Sequence, residues 1–232
     1  MCCVGDTFVA IANVGDSRAV LGSWRSDGGI SATALSEDHK PTIPSERIRI
    51  ETAGGFVREV EGASSLEVGA PGTELWLRMS RSFGDFYLKQ VEDFPPDSQP
   101  VIAVPDVVIV PRTEQQAFLI LACDGVWDVM TNQETVDLIA KQLYEEKRSP
   151  AESCDALLTE CLRRGSNDNM SVMVIKLTHT ISRPANDGAD TPLHLLSVSS
   201  ISSVLRSNDD KLESLDPQTD TVDSCRKRLE FE

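Results

Sequence analysis

The order of strand-like and helix-like segments is the feature that most constrains the fold of this 232-residue chain. Short runs rich in Val, Ile and Leu, interrupted by turn residues and by Pro105 and Pro111, are typical of β-strands. These runs are 7–14, 18–22, 101–104, 107–110, 117–123 and 170–177. Gly15-Asp16 between the first two runs predicts a β-hairpin. Because strands and helices do not alternate regularly, the sequence predicts an α+β fold with mainly antiparallel sheets rather than a doubly wound parallel sheet.

Two segments between the last two strand runs have apolar residues at helical spacing. In the first, apolar positions from 136 to 144 lie on one helical face behind Asn132, which we expect to cap the helix. The second begins with Ser149-Pro150-Ala151-Glu152, which is a capping box with proline in the first turn. We expect this helix to end at Gly165.

The middle and the end of the chain differ from these regular segments. A further helix is predicted over 44–53, and residues 56–77 are predicted to form a loop. From Thr180 onward the sequence is rich in Ser and nearly free of aromatic residues, which favours a disordered tail. The alternative is a short docking helix over 193–205. We therefore expect a domain at 1–179 and a tail at 180–232.

The charge and cysteine content limit the partners. The chain has 22 Lys and Arg against 37 Asp and Glu, a formal net charge of −15, so we expect no nucleic-acid partner. The apolar run 117–123 is far shorter than the roughly 20 residues of a spanning helix, and no secretory signal is evident, so no membrane partner is expected. The six cysteines lack zinc-site spacing and are too sparse for a disulfide scaffold, which predicts a cytoplasmic or nuclear monomer with reduced thiols. Cys2-Cys3 is either a buried strand start or a lipidation site.

Acidic residues stand at the ends of the predicted strands. Asp124 follows the run 117–123 and precedes Gly125, and Asp168 lies in the loop before the last strand. Hard cations such as Mg²⁺ prefer carboxylate oxygens, so acids at strand ends predict a metal site. Asp16, in the turn after the first run, has the same character. The alternative is that all three are ordinary turn residues, since Asp-Gly and Asn-Asp-Asn are common turn formers.

A series of motifs in a fixed order narrows these alternatives. The motifs are Asn-Val-Gly-Asp-Ser-Arg (13–18), Asp-His-Lys-Pro (38–41), Glu46-Arg47-Ile48 with Gly54-Gly55, Met-Ser-Arg-Ser-Phe-Gly-Asp (79–85), Pro-Asp-Val (105–107), Ala-Cys-Asp-Gly-Val-Trp-Asp (122–128) and Ser-Asn-Asp-Asn-Met-Ser-Val (166–172). Over residues 4–178 the chain closely resembles the metal-dependent type 2C Ser/Thr protein phosphatases, the PPM family. The first motif and the Ala-Cys-Asp motif are its most specific parts.

The resemblance implies a fold, a metal centre and a reaction. The fold would be a four-layer α-β-β-α sandwich of two mainly antiparallel sheets flanked by helices, with the N-terminal part of the domain missing here. The site would hold two Mn²⁺ or Mg²⁺ ions, with Asp124 and Asp168 as catalytic metal ligands and Asp16 at a third, weaker metal site. A metal-activated water would attack the phosphorus of phosphoserine or phosphothreonine in a phosphoprotein substrate.

The resemblance also bears on residues beside this centre. Residues 42–77 match the variable flap next to the cleft. Arg81 either binds the substrate phosphate or braces the flap through hydrogen bonds, and the residues leave both roles open. His39 lies at the start of the flap and is not expected to be the general acid. Asp128 is expected to support the metal ligands or the fold.

The sequence departs from the family in one motif. The family's Asp-Gly-His-Gly-Gly, whose Asp bridges both metals and whose His is the general acid, does not occur in these residues, nor does the family's phosphate-gripping Arg. Two interpretations stay open: part of an active phosphatase, or a pseudophosphatase binding module without catalysis. An unrelated metal-binding domain is a third. We expect the chain to expose strand edges and apolar surface that other residues would cover.

Overall fold

Short strands make up most of the regular structure, and the longest helix follows the ninth strand. The computed structural model describes residues 1–60, 66–177 and 194–196. The strands are β1 (Cys2–Val4), β2 (Phe8–Asn13), β3 (Arg18–Trp24), β4 (Ile30–Ala34), β5 (Phe56–Glu59), β6 (Leu66–Gly69), β7 (Trp76–Leu77), β8 (Asp106–Pro111), β9 (Gln116–Ala122), β10 (Val172–Lys176) and β11 (His194–Leu196). The helices are α1 (Pro44–Thr52), α2 (Asp124–Trp127), α3 (Asn132–Ala140) and α4 (Pro150–Arg163), with a 3₁₀ turn at Phe86–Leu88 and a π-helical turn at Lys141–Glu145.

Two four-stranded sheets form the centre of the fold. The first sheet has the order β1-β2-β8-β11 and the second has the order β10-β9-β3-β4, and all neighbouring strands are antiparallel. Alternate residues of each strand point to one face, so the facing sides of the two sheets share a core. This core contains Val9, Ile11, Ala19, Leu21, Leu35, Val110, Leu119 and Leu177. The predicted α+β fold of mainly antiparallel sheets flanked by helices is confirmed.

Helices α3 and α4 cover the outer face of the second sheet. Phe118 and Ile120 of β9 pack with Ile139 of α3 and Leu157 of α4, whereas Leu119 faces the first sheet. Strand β9 is therefore buried on both faces, which explains why its sequence is a continuous apolar run without alternation.

Capping boxes fix the starts of both helices. The box at Ser149 and Glu152 confirms the predicted start of α4. The N-cap of α3 is Thr131, one residue before the predicted Asn132, and Thr131 forms its own box with Glu134. Asn132 instead accepts a hydrogen bond from Arg18 Nη1 at 2.7 Å. The prediction for α3 was therefore wrong by one residue, because two adjacent residue types can both cap a helix.

A three-stranded antiparallel sheet lies within the segment 56–77 that was predicted to be a loop. Strands β5, β6 and β7 pair in sequence order, and Val68 of β6 packs with Ile50 of α1. We call α1 together with β5–β7 the flap unit. The predicted helix over 44–53 is confirmed as α1. The loop prediction was wrong because each strand has four residues or fewer, too few for alternation to be recognised.

The predicted hairpin between the first two strand runs is also wrong. Strand β2 pairs with β1 and β8 in the first sheet, whereas β3 pairs with β4 and β9 in the second. The turn at 14–17 crosses from one sheet to the other, with Gly15 at a φ of 103°, a conformation that glycine adopts without strain. A turn signal between two strand runs cannot distinguish pairing from crossing.

Two further segments differ from the sequence predictions. Residues 101–104 form no strand; Ile102 makes an isolated bridge to Arg81, and Val101 is buried against the flap unit. Prolines on both sides of this run remove donors that a ladder would need. Strand β11 lies within the predicted tail and is extended where a short helix over 193–205 was the alternative to disorder. The rest of the tail lies outside the described residues.

The outer face of the first sheet is open in the part of the chain that the structure describes. No helix there packs against Ala10 or Ile109, which lie on this face outside the hydrophobic clusters. Phe8 on the same face is 39% exposed. The described residues therefore form three of the four layers that the resemblance implies. None of the described helices has the length and apolar character needed to cross a membrane.

Candidate active site

Three acidic residues lie at one edge of the second sheet. The end of β9 pairs with the start of β3 on one side and with the start of β10 on the other. Asp124 follows β9, Asp16 precedes β3, and Asp168 precedes β10. The antiparallel arrangement therefore brings the loops of all three predicted metal ligands to the same edge. We call this group the acidic edge.

Electrostatic interactions couple the acids of this edge. Burial raises the pKa of Asp124, and the charges of Asp128 and Asp168 raise it further. Burial also raises the pKa of Asp16, with Asp124 as the strongest neighbouring charge. Like charges held together in a partly buried place disfavour ionisation unless a cation joins them. The carboxylates of the acidic edge therefore repel one another, and Asp16 and Asp124 ionise less readily than ordinary aspartates.

Asp128 belongs to this edge, although the sequence analysis gave it only a supporting role. It is the strongest neighbouring charge on Asp124, and its carboxylate lies 3.7 Å from Lys40 Nζ. The spacing from Asp124 to Asp128 is one helical turn through α2, which places both residues on one face. That i, i+4 spacing was the available signal in the sequence.

Close backbone packing joins the loops of Asp124 and Asp168. A Cβ atom at Gly125 would lie 2.6 Å from the carbonyl oxygen of Asn169, so only glycine allows this approach. Ser166 Oγ donates a hydrogen bond to the Gly125 carbonyl at 2.7 Å. The backbone N–H of Ser171 donates to Cys123 Sγ at 3.1 Å. These contacts set the relative position of the two acids.

The acidic edge has the right chemistry for a divalent metal but too few ligands for a complete site. Carboxylate oxygens are the ligands that Mg²⁺ and Mn²⁺ prefer. Within residues 1–60, 66–177 and 194–196, however, no three His, Cys, Asp or Glu side chains converge closely enough to hold an ion. These residues alone therefore do not fit a two-metal centre, and they supply only part of its ligand set.

The side chain of Arg81 lies in a network of ion pairs, and its backbone carbonyl lies close to Gly15, next to Asp16. Its Nε and Nη2 atoms donate to Glu46, and its Nη1 donates to Asp106 Oδ1 at 2.9 Å. Its side chain is 13% exposed. This arrangement corresponds to the bracing role, since Glu46 belongs to the flap unit. Phosphate binding by Arg81 stays an untested prediction.

His39 is buried and hydrogen-bonded on both ring nitrogens. Its Nδ1 accepts from the Gly15 backbone N–H at 3.1 Å, and its Nε2 lies 3.0 Å from Asp106 Oδ2. Only 1% of the residue is exposed to solvent. These contacts occupy both ring nitrogens; that His39 is not the general acid stays a prediction.

Comparisons with known sequences identify relatives of this chain. The sequence pattern of the family described as "Protein phosphatase 2C" matches residues 1–170. A probable protein phosphatase 2C of Caenorhabditis elegans is 40% identical over 183 residues, which are 75% of this chain and 46% of that relative. "Probable protein phosphatase 2C 8" of Oryza sativa subsp. japonica is 42% identical over 190 residues, which are 78% of this chain and 42% of that relative.

Solved structures of phosphatases are also similar to this chain. The crystal structure of a phosphatase from a pathogenic strain of Toxoplasma gondii matches with a TM-score of 0.62 and 36% identity, over 75% of this chain and 51% of that chain. The serine-threonine phosphatase 2C from Toxoplasma gondii matches with a TM-score of 0.62 and 31% identity, over 73% of this chain and 54% of that chain. The chain thus spans about half the length of the relatives that it matches.

Proposed function

Because this chain belongs to the protein phosphatase 2C family, we propose that it forms part of the active site of a metal-dependent phosphatase acting on phosphoserine and phosphothreonine in proteins. The observation that carries this proposal is the position of Asp16, Asp124 and Asp168 at one sheet edge. Bound Mn²⁺ or Mg²⁺ would supply the nucleophilic water of such an enzyme. The chain's own contribution is to hold carboxylates in place for these ions.

The raised pKa of Asp124 supports a central place for this residue. Its carboxyl group interacts with Asp128 on its own helical turn and with Asp168 on the neighbouring loop. Asp124 and Asp168 are the proposed catalytic metal ligands. Asp16 is proposed for a third, weaker metal site, the role that the family resemblance gives it; Asp124 is the strongest neighbouring charge that raises its pKa. A cation at this edge would relieve the same repulsion.

The proposal requires ligands in addition to those of the described residues. Fewer than three candidate ligand side chains converge there, and the relatives are about twice as long as the matched segment. The additional ligands are proposed to lie in a segment with the family's Asp-Gly-His-Gly-Gly motif. Without them we expect the 232-residue chain to have little or no activity.

The incomplete ligand set also favours a second candidate function. A member of the family without a complete metal centre would keep the surface that meets phosphoproteins and would bind them without hydrolysis. In that case the acidic edge would be a remnant of the catalytic site. The two functions differ in whether a completed domain turns over substrate.

Turnover of a phosphoserine peptide in the presence of Mn²⁺ tests both candidates. The chain alone should stay near background. The same chain, preceded by the corresponding Asp-Gly-His-Gly-Gly segment of a relative, should hydrolyse the peptide only when Mn²⁺ is added. Asp124→Asn in the extended protein should lower the rate by about 10²- to 10⁴-fold. Asp155→Asn, at an exposed acid on α4, is the matched control and should leave the rate unchanged.

Two outcomes would contradict the enzyme proposal. A folded extended protein without turnover would favour the binding function. Robust turnover by the chain alone, abolished by Asp124→Asn, would show that its own residues complete the site.

A further inference from the structure

A series of partly buried polar contacts links the flap unit to the loop that carries Asp16. It begins at Glu46 on α1 and continues through Arg81 and Asp106 to His39. His39 in turn accepts a hydrogen bond from the backbone N–H of Gly15. The series lies outside the acidic edge but ends one residue before Asp16.

The first part of the series is an ion-pair cluster around Glu46. This residue is 2% exposed, and its carboxylate accepts hydrogen bonds from Arg81 Nη2 at 2.7 Å and from Ser80 Oγ at 2.6 Å. Arg49 Nη1 lies 2.8 Å from the same carboxylate. Burial alone would raise the pKa of Glu46, but the hydrogen bonds from Arg81, Ser80 and Arg49 lower it to about 2. Glu46 is therefore ionised at neutral pH and holds Arg81 tightly.

Arg81 forms a rigid connection between two carboxylates. One side of its planar guanidinium contacts Glu46, while Nη1 donates to Asp106 Oδ1 at 2.9 Å and to the carbonyl of Val104 at 3.0 Å. The fixed geometry of a guanidinium constrains the groups that bind its two ends. A displacement of Glu46 would therefore also disturb the contact between Arg81 and Asp106 at the start of β8.

His39 connects Asp106 to the backbone beside Asp16. Because the Gly15 N–H is a donor, the Nδ1 atom that accepts from it carries no proton, and Nε2 carries the proton that is donated to Asp106. The backbone N–H of His39 also donates to the Gly15 carbonyl at 3.0 Å. His39 therefore contacts both polar groups of the Gly15 backbone.

We propose that Arg81 and His39 are positioning residues that couple the flap unit to the backbone at Gly15 and Asp16. Through them the packing of α1 sets the position of the loop that presents the Asp16 carboxylate. The role of Asp16 in metal binding rests on the proposed function, whereas the coupling itself does not. The rival account is that each contact stabilises only the segment that it touches.

Amide hydrogen exchange of the full chain, followed by NMR without metal or substrate, tests the coupling. Glu46→Gln should accelerate exchange of the Gly15 and Asp16 amides by at least about fivefold, because Arg81 is no longer held and the loop opens more often. Glu51→Gln is the matched control: Glu51 lies on the same helix, but it is half exposed and pairs with Arg47 outside the series. It should change these two amides by less than about twofold. Since the readout needs no catalysis, its outcome is independent of the phosphatase proposal.

Two substitutions of His39 separate the two contacts of its ring. His39→Asn keeps an acceptor near the Nδ1 position and loses the link to Asp106, so Gly15 exchange should stay slow and should no longer respond to Glu46→Gln. His39→Gln keeps a donor toward Asp106 and loses the acceptor for Gly15, so exchange should be fast with or without Glu46→Gln. This loss of response in the double variants is expected for coupling and not for separate local stabilisation.

Two results would overturn the coupling. In the first, Glu46→Gln accelerates exchange only within α1 and at Ser80. In the second, its effect on Gly15 is the same in the His39→Asn background as in the wild type. If Glu46→Gln does not fold, Arg81→Lys provides the same test, because lysine keeps the charge but cannot bind both carboxylates with fixed geometry. The same acceleration at Gly15 and Asp16 is expected, and its absence would also overturn the coupling.

Discussion

At the scale of single residues, the buried and partly buried carboxyl groups differ in whether Arg or His side chains donate hydrogen bonds to them. Burial alone would raise the pKa of Glu46, yet Arg81 and its neighbours hold that pKa at about 2. The pKa of Asp106 is also about 2, because His39 and Arg81 donate to its carboxylate. Asp16 and Asp124 have other acids as close neighbours, and their pKa values are raised. Glu46 and Asp106 therefore stabilise the fold in their charged form, whereas Asp16 and Asp124 would be stabilised in theirs by an added cation.

The free energy of unfolding should decrease as the pH falls from about 4 to about 2. In the unfolded chain Glu46 and Asp106 take up protons near their ordinary pKa of about 4, whereas in the folded chain both stay charged down to about 2. The unfolded state therefore binds more protons in this interval, and the stabilisation that is fully present above about pH 4 is lost below it.

Urea unfolding near neutral pH and at about pH 3 measures this dependence. Asp106→Asn removes one of the two groups, so the variant should lose less stability between the two conditions than the wild type. The control Asp155→Asn should show the full loss. Equal losses in the wild type and in Asp106→Asn would contradict the assignment of these pKa shifts.

The sequence predicted the residues of the acidic edge better than the residues in the series of polar contacts from Glu46 to His39. Asp16, Asp124 and Asp168 follow or precede strand runs, and the structure places them at one sheet edge. Glu46 and Arg81 are 35 residues apart in sequence, and His39 and Asp106 are 67 residues apart. No local pattern predicts a contact over such distances, so only the fold could show this series.

At the scale of elements, local signals were reliable and pairing signals were not. The capping box of α4 and the apolar run of β9 gave correct elements because each signal lies within the element itself. The hairpin prediction for β2 and β3 was wrong because the partner of a strand is chosen by the whole sheet. Strands β5, β6 and β7 were missed because they are short and gain stability mainly by packing on α1.

Gly125→Ala should destabilise the protein by about 1–3 kcal/mol, the usual cost of overpacking. The added Cβ would meet the Asn169 carbonyl oxygen at 2.6 Å, which is backbone and cannot rotate away. The loops of Asp124 and Asp168 would then separate, and Mn²⁺ binding should weaken as well.

Ser166→Ala is the control for this substitution. It removes the hydrogen bond to the Gly125 carbonyl without adding volume between the loops, and we expect a smaller loss of about 1 kcal/mol. Urea unfolding measures both variants. A Gly125→Ala variant as stable as the wild type would contradict the close approach of the two loops.

At the scale of the whole molecule, the described residues form three layers of the four that the family resemblance implies. They include the second sheet with its two covering helices, the facing core of the first sheet, and the flap unit. The described residues leave the outer face of the first sheet open and the metal ligand set incomplete. Both features agree with a chain that spans about half of its relatives. The resemblance of the motifs predicted the layered arrangement of two sheets with helices outside them, whereas the order of elements predicted only an α+β fold with mainly antiparallel sheets.

The claim that the acidic edge supplies a partial metal site is tested most directly by titrating the 232-residue chain with Mn²⁺ in a calorimeter. Binding should be weak, with a Kd of about 10⁻³ M or above, because too few carboxylates converge. It should be lost in Asp124→Asn and in Asp168→Asn and kept in the control Asp155→Asn. Tight binding that depends on Asp124 and Asp168 would contradict the incomplete site, and weak binding that survives both substitutions would place the metal elsewhere.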